Sequence, residues 1–166
     1  MIKEGQNKVG HYFLMSTRFN KQKALDFGLL ELEGTDSAIN PVDNSLWKKC
    51  TLYDYGWGRE NGYYRTPVLD YDGLLELILS SNQEDDVYGA AAIILDKYPD
   101  ELLVTCEQMR RSPSRTAELQ KMISVFHLHL GINHSPTIGK TVEEIEKDSC
   151  RWRAISDAAK PRKLRW

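Results

Sequence analysis

Nothing in this sequence is long and apolar enough to cross a bilayer. Its most hydrophobic run, Ala90-Ala91-Ala92-Ile93-Ile94-Leu95, covers six residues, where a spanning helix needs about 20. Cysteine is equally sparse: Cys50, Cys106 and Cys150 are odd in number and far apart, with no CxxC spacing. Neither a disulfide framework nor a zinc ribbon is encoded, and three reduced thiols are expected. The first ten residues contain no apolar h-region, so no secretory signal is expected and the expected compartment is the cytoplasm.

The motifs of catalysis are missing as well. There is no GxSxG elbow, no P-loop and no HExxH, and Gly56-x-Gly58 lacks the third glycine of a dinucleotide site. His127 and His129, with His134 nearby, are the nearest approach to a metal set. On a helix over 115–130, residues two apart differ by about 200° around the axis, so these imidazoles would not grip one ion. The paired carboxylates Asp70/Asp72 and Asp85/Asp86 fall at expected helix starts, where the dipole favours capping over acid–base work. No catalytic residue, no metal and no cofactor are therefore expected.

What is there suits a single domain over residues 1–166, since domains most often run about 100–150 residues. Charge is divided unevenly. Residues 1–109 carry 10 Lys/Arg against 18 Asp/Glu, and residues 110–166 carry 12 against 6. An acidic front and a basic tail can each attract a partner of opposite sign, or each other.

The amino-terminal section, 1–71, reads as irregular. Its segment 9–33 fits strand or helix, with a lean to helix capped by Asn20, and the turn formers of Gly34–Ser45 read as a loop. Asn61-Gly62 between aromatic-rich stretches predicts a short β-hairpin, because both residues tolerate a positive φ. From Asp72 the pattern becomes helical. Asp72 can cap Gly73–Ser81, Glu84-Asp85-Asp86 opens a helix to Tyr98, and Pro99 ends it and starts the next, to Arg111. Residues 115–130 carry Leu119, Met122, Ile123, Phe126 and Leu130 on one face. Thr141 and Glu144 form a capping box for a closing helix over 141–159, with Val142, Ile145 and Trp152 facing inward. A basic tail, 160–166, follows.

A shift of 28 residues aligns Asp72 with Asp100, Leu74 with Leu102, Leu75 with Leu103, Ala91 with Leu119, Ile94 with Met122, Leu95 with Ile123 and Tyr98 with Phe126. That echo reads as two tandem antiparallel helical hairpins over 72–130. The expected fold is mainly α, with the irregular section and its hairpin as a cap.

The run Asp86-Val-Tyr-Gly-Ala-Ala-Ala-Ile-Ile-Leu-Asp-Lys-Tyr-Pro-Asp-Glu-Leu-Leu103 resembles HEAT-type repeats. It also resembles the small helical immunity proteins that bacteria keep beside their polymorphic toxins, a likeness covering about residues 72–130. The resemblance implies a non-catalytic protein that binds and neutralises a cognate toxin. Toxins that cut nucleic acid are often basic, and the acidic residues Glu84, Asp85, Asp86, Asp96, Asp100 and Glu101 would steer such a partner. Trp57 and Tyr63, from the aromatic hairpin, have the composition of an interface anchor, although core packing explains such rings equally well. Two alternatives remain open. Arg151-Trp152-Arg153 and the Lys160–Trp166 tail interleave cations with aromatics as nucleic-acid binders do, and an enzyme site can be assembled from residues distant in sequence.

Overall fold

The computed structural model describes residues 10–16, 23–54 and 58–159, the side chains of 52–54, 58–61 and 159 excepted. The contacts fall into two compact units, Met1–Ala92 and Ile93–Trp166.

The first unit is built on a sheet, not on helical hairpins. Five strands, β1 (Phe13–Met15), β2 (Leu30–Glu31), β3 (Ser37–Ile39), β4 (Leu46–Asp54) and β5 (Gly58–Arg65), pair in the order β1-β5-β4-β3-β2. Every pairing is antiparallel. The mainly α, tandem-hairpin expectation is therefore overturned: the described residues form a mixed fold with an antiparallel sheet and five α-helices.

Alternation explains how the sheet divides its side chains. Leu14 pairs with Tyr63, and Ala38 with Trp47, so these four share one face. With Ala24, Phe27 and Leu29 they form a buried cluster, in which the Tyr63 ring meets Phe27 edge-on at 6.1 Å. Ala24 and Phe27 come from a short 3-10 helix, Ala24–Phe27, closed by Gly28 at φ 77°, a left-handed turn that glycine adopts without strain. Within 9–33, where the lean was to helix, the described residues form β1, one 3-10 turn and β2, and the expected cap Asn20 lies outside the described residues. The loop expected over 34–45 contains β3.

The hairpin is real, but its register differs. Asn61-Gly62 is not the turn. Both residues lie inside β5, opposite Thr51 and Cys50, and the connection falls at 55–57, outside the described residues. A one-residue slip would turn Tyr63 and Trp47 out of the buried cluster, so burial sets this register.

Two helices complete this unit's sequence. α1 (Tyr71–Ser80) is capped by Asp70, whose side chain accepts the Gly73 amide at 2.9 Å; the cap is not Asp72. α2 (Glu84–Lys97) begins in the first unit, with Glu84, Asp85 and Asp86 in its first turn. There it meets β1. Asp86 Oδ1 accepts the Tyr12 and Phe13 amides at 2.8 and 2.9 Å, and Asp85 Oδ2 accepts the Met15 amide at 3.2 Å. One turn later Gly89 lies against Phe13, where a Cβ would come within 2.3 Å of the ring.

The second unit contains the rest of α2, then α3 (Pro99–Arg111), α4 (Thr116–Val125) and α5 (Val142–Ala159). Pro99 opens α3 as expected, and the Thr141/Glu144 capping box is formed, with bonds of 2.8 and 3.3 Å. α4 stops at Val125, short of the expected 130, because His127 turns left-handed at φ 51°. A 3-10 helix, Leu128–Leu130, follows, closed by Gly131. On α5 Trp152 is buried, but Val142 is 68% exposed, so the inner face begins further along.

The repeat does not hold. Leu75 is half-buried where Leu103 is buried, and Leu95 is half-buried where Ile123 is buried. The unit boundary also falls inside α2, which would have been the second helix of the first hairpin. A shared apolar period marks any helix with a buried face, and it does not require equivalent partners.

Charge and ring contacts tie α5 down. Arg151 donates two bonds of 2.8 Å to Glu107 on α3, which hold the Glu107 carboxyl below its usual range. Asp148 accepts from Lys140 at 2.7 Å, and Lys140 lies 3.9 Å from Asp100. Trp152 donates its indole N–H to Ser135 at 3.1 Å, and His134 stands edge-on to the Trp152 ring at 5.1 Å.

Two expectations follow. Gly89→Ala raises helix propensity by about 1 kcal/mol yet forces its methyl into Phe13, so a net loss of about 1–3 kcal/mol is expected in chemical denaturation; an unchanged midpoint would refute the close approach. His134 has a buried Nε2 without a partner, and burial holds its imidazole below the usual 6.5. The unfolded chain then takes up a proton first as pH falls, so stability is full above about pH 6.5 and declines below it. His134→Phe should flatten the decline in melting temperature between about pH 7 and about pH 5; an equally steep decline would assign it elsewhere.

Candidate functional site

Between Arg65 and Lys97 the chain contains no basic residue. Over that stretch it carries seven acidic ones: Asp70, Asp72, Glu76, Glu84, Asp85, Asp86 and Asp96. Their fates differ, and the differences separate structural carboxylates from those left to solvent.

Asp86 is 2% exposed. A buried carboxylate must be hydrogen-bonded, and the β1 amides supply that need, so Asp86 is removed from the surface set that the sequence suggested. Asp85 is half-buried and shares the same task. Asp70 is spent on its helix cap. Asp72, Glu76 and Glu84 are exposed in the first unit, and no described side chain bonds to their carboxylates. Asp96, Asp100 and Glu101 are exposed in the second unit, where Asp100 is partly balanced by Lys140.

The aromatic expectation divides in the same way. Tyr63 is 4% exposed, and its hydroxyl donates to Glu31 at 3.3 Å. Burial is the first cause that pushes its phenol above the ordinary value. It is a core residue, not an interface anchor. Trp57 lies outside the described residues.

Along one side of α1 runs a groove of about 280 Å³, lined by Tyr12, Leu69, Gly73, Glu76, Leu77 and Ser80. From Leu69 onward the helix-side residues fall at i, i+4, i+7, i+8 and i+11, which is one helical stripe. The opposite, buried side of α1 presents Leu74 and Ile78. Glu76 is the only charged group in the lining. Ser80 donates its hydroxyl proton to the Glu76 carbonyl at 2.8 Å, which leaves its oxygen free to accept. The sequence signal for this site was the base-free stretch combined with that stripe; reading α1 as half of a hairpin assigned its solvent side no role.

The other chemical suspects have structural occupations. Burial raises the thiols of Cys50 and Cys106 to about 12, where the nucleophilic thiolate is scarce at neutral pH. The His127 and His129 rings sit side by side at 5.8 Å, because the chain has left the helix; the geometry that was to separate them is not formed. Among the described residues no group of three or more His, Cys, Asp or Glu is placed to hold a metal, and no helix is long and apolar enough to cross a membrane. Of the basic carboxyl end, Trp152 is buried and Arg151 is bound to Glu107, while 160–166 lie outside the described residues.

No family profile, curated protein or solved structure matches this chain.

The division among the carboxylates can be measured directly. Asp86→Ala leaves two amides without an acceptor and should cost about 3 kcal/mol. Glu84→Gln, two residues away on the surface, should stay within about 0.5 kcal/mol of the parent. Equal effects in urea titrations would contradict the assignment.

Proposed function

We propose that this chain is a non-catalytic protein-binding module that captures a basic partner, in the manner of an immunity protein neutralising a toxin. The observation that supports this reading is the exposed carboxylate surface of the first unit, to which no described side chain bonds. Asp72, Glu76 and Glu84 are exposed on a stretch that supplies no cation of its own. A nuclease toxin must carry positive charge to hold its polyanionic substrate, and an acidic surface draws such a protein in and competes for the same charges. Buried Trp152 and paired Arg151 leave less of the carboxyl end for the nucleic-acid alternative.

The test uses the full chain as bait in its native cell. A partner of high isoelectric point should be retained by the parent chain. The double variant Asp72→Asn/Glu84→Gln should associate with it more slowly, with a flatter dependence on salt. Expressed alone, that partner should arrest growth, and co-expression of the parent chain should relieve the arrest. A neutral or acidic partner, or an on-rate indifferent to both substitutions, would refute the reading.

A further inference from the structure

On the reading that the chain captures a basic protein, we infer that the groove along α1 receives an arginine side chain of that partner, with Glu76 as its counter-charge. Size is the first argument. The groove's roughly 280 Å³, at the small end of binding-site volumes, is room enough for one long side chain. Lining chemistry is the second. Leu69 and Leu77 offer apolar surface to an aliphatic stem, as long cationic side chains require. Gly73 keeps the floor low, since an added Cβ there would come within 3.2 Å of Leu69 Cβ.

Charge decides the sign of the occupant. Glu76 is the single ionisable carboxylate in the lining, no Lys or Arg lies between Thr66 and Asp96, and among the described residues no cation pairs with it. An acidic side chain would be repelled, and an apolar one would desolvate Glu76 with nothing in return. Between the two common cations, the planar guanidinium fits better. It can address the Glu76 carboxylate with two parallel donors, leave a further N–H for the Ser80 oxygen, and lie against the Tyr12 ring. An ammonium, a compact point charge, uses fewer of these features.

The experiment is an NMR titration of the full chain with three capped amino acids: N-acetyl-arginine methylamide, its uncharged analogue N-acetyl-citrulline methylamide, and N-acetyl-lysine methylamide. Saturable shifts are expected for arginine at the amides of Leu69, Gly73, Leu77 and Ser80. Citrulline should bind at least about fivefold more weakly, and Glu76→Gln should weaken arginine by a similar factor. Lysine should fall between. Equal shifts from arginine and citrulline, or non-saturating shifts spread over every exposed carboxylate, would overturn the inference. The wider reading is judged separately through Asp72→Asn/Glu84→Gln, neither of which lines the groove. A captured partner that responds to that pair but not to Glu76→Gln would leave the function standing and remove the arginine from it.

Discussion

The contact between the start of α2 and the open edge of β1 is the constraint on which the first unit depends. Edge strands expose unpaired amides, and proteins protect them with charge, brevity or cover. Here the protection is ionic. Asp86 and Asp85 accept three successive-side amides of Tyr12, Phe13 and Met15. The same carboxylates sit at the positive end of the α2 dipole, so one pair of side chains satisfies a helix start and a strand edge together. Gly89 follows from that geometry: a helix held against β1 by its first turn has no space for a side chain opposite Phe13 one turn later.

The second unit meets its charge differently. Asp100, Lys140, Asp148, Arg151 and Glu107 form a chain of alternating sign that joins α3, the approach to α5 and α5 itself. Part of the basic surplus after residue 110 is therefore internal, engaged with Glu107 and Asp148 and, in part, with Asp100, which the sequence placed at the surface. Asp100 is the case where this matters most, because the same side chain cannot be wholly available to an external cation and to Lys140. Formal charge by segment was a poor guide to accessible charge in this half, and a better one in the base-free stretch before Lys97.

What was legible in the sequence was local. Pro99 opening α3 and Thr141 and Glu144 boxing the start of α5 are decided within four residues, and each formed where its residues stand. What was illegible was non-local. Phe13 pairs with Tyr64, and Tyr63 is buried by Leu14 and Phe27, partners remote along the chain that no window reveals. Asn61-Gly62 illustrates the conflict: a strong local turn signal was overruled by burial of Tyr63 and Trp47, which required both residues inside β5. The 28-residue echo failed for a related reason. Leu75 and Leu103 share a periodicity but not an environment, since the period records only that each helix has an inner side. The groove was half legible. Glu76, Gly73 and Leu77 stand at helix spacing in sequence, whereas Tyr12 joins them only through the fold.

On α1 two carboxylates of like charge stand side by side. Asp72 and Glu76 stand four residues apart on α1, both exposed, where a carboxylate and an ammonium would stabilise the helix by about 0.2–0.5 kcal/mol and two like charges cost a similar amount. No basic residue is nearby in sequence to relieve them. Asp70 and Asp86 show that this chain uses carboxylates for structure by giving each an amide to accept; among the described residues none bonds to the carboxylate of Asp72 or Glu76, and Asp72, in the first turn of α1, has the helix dipole in its favour. On the proposed reading, a cation brought by a partner would turn that repulsion into attraction, at Glu76 in the groove and at Asp72 elsewhere on the same helix.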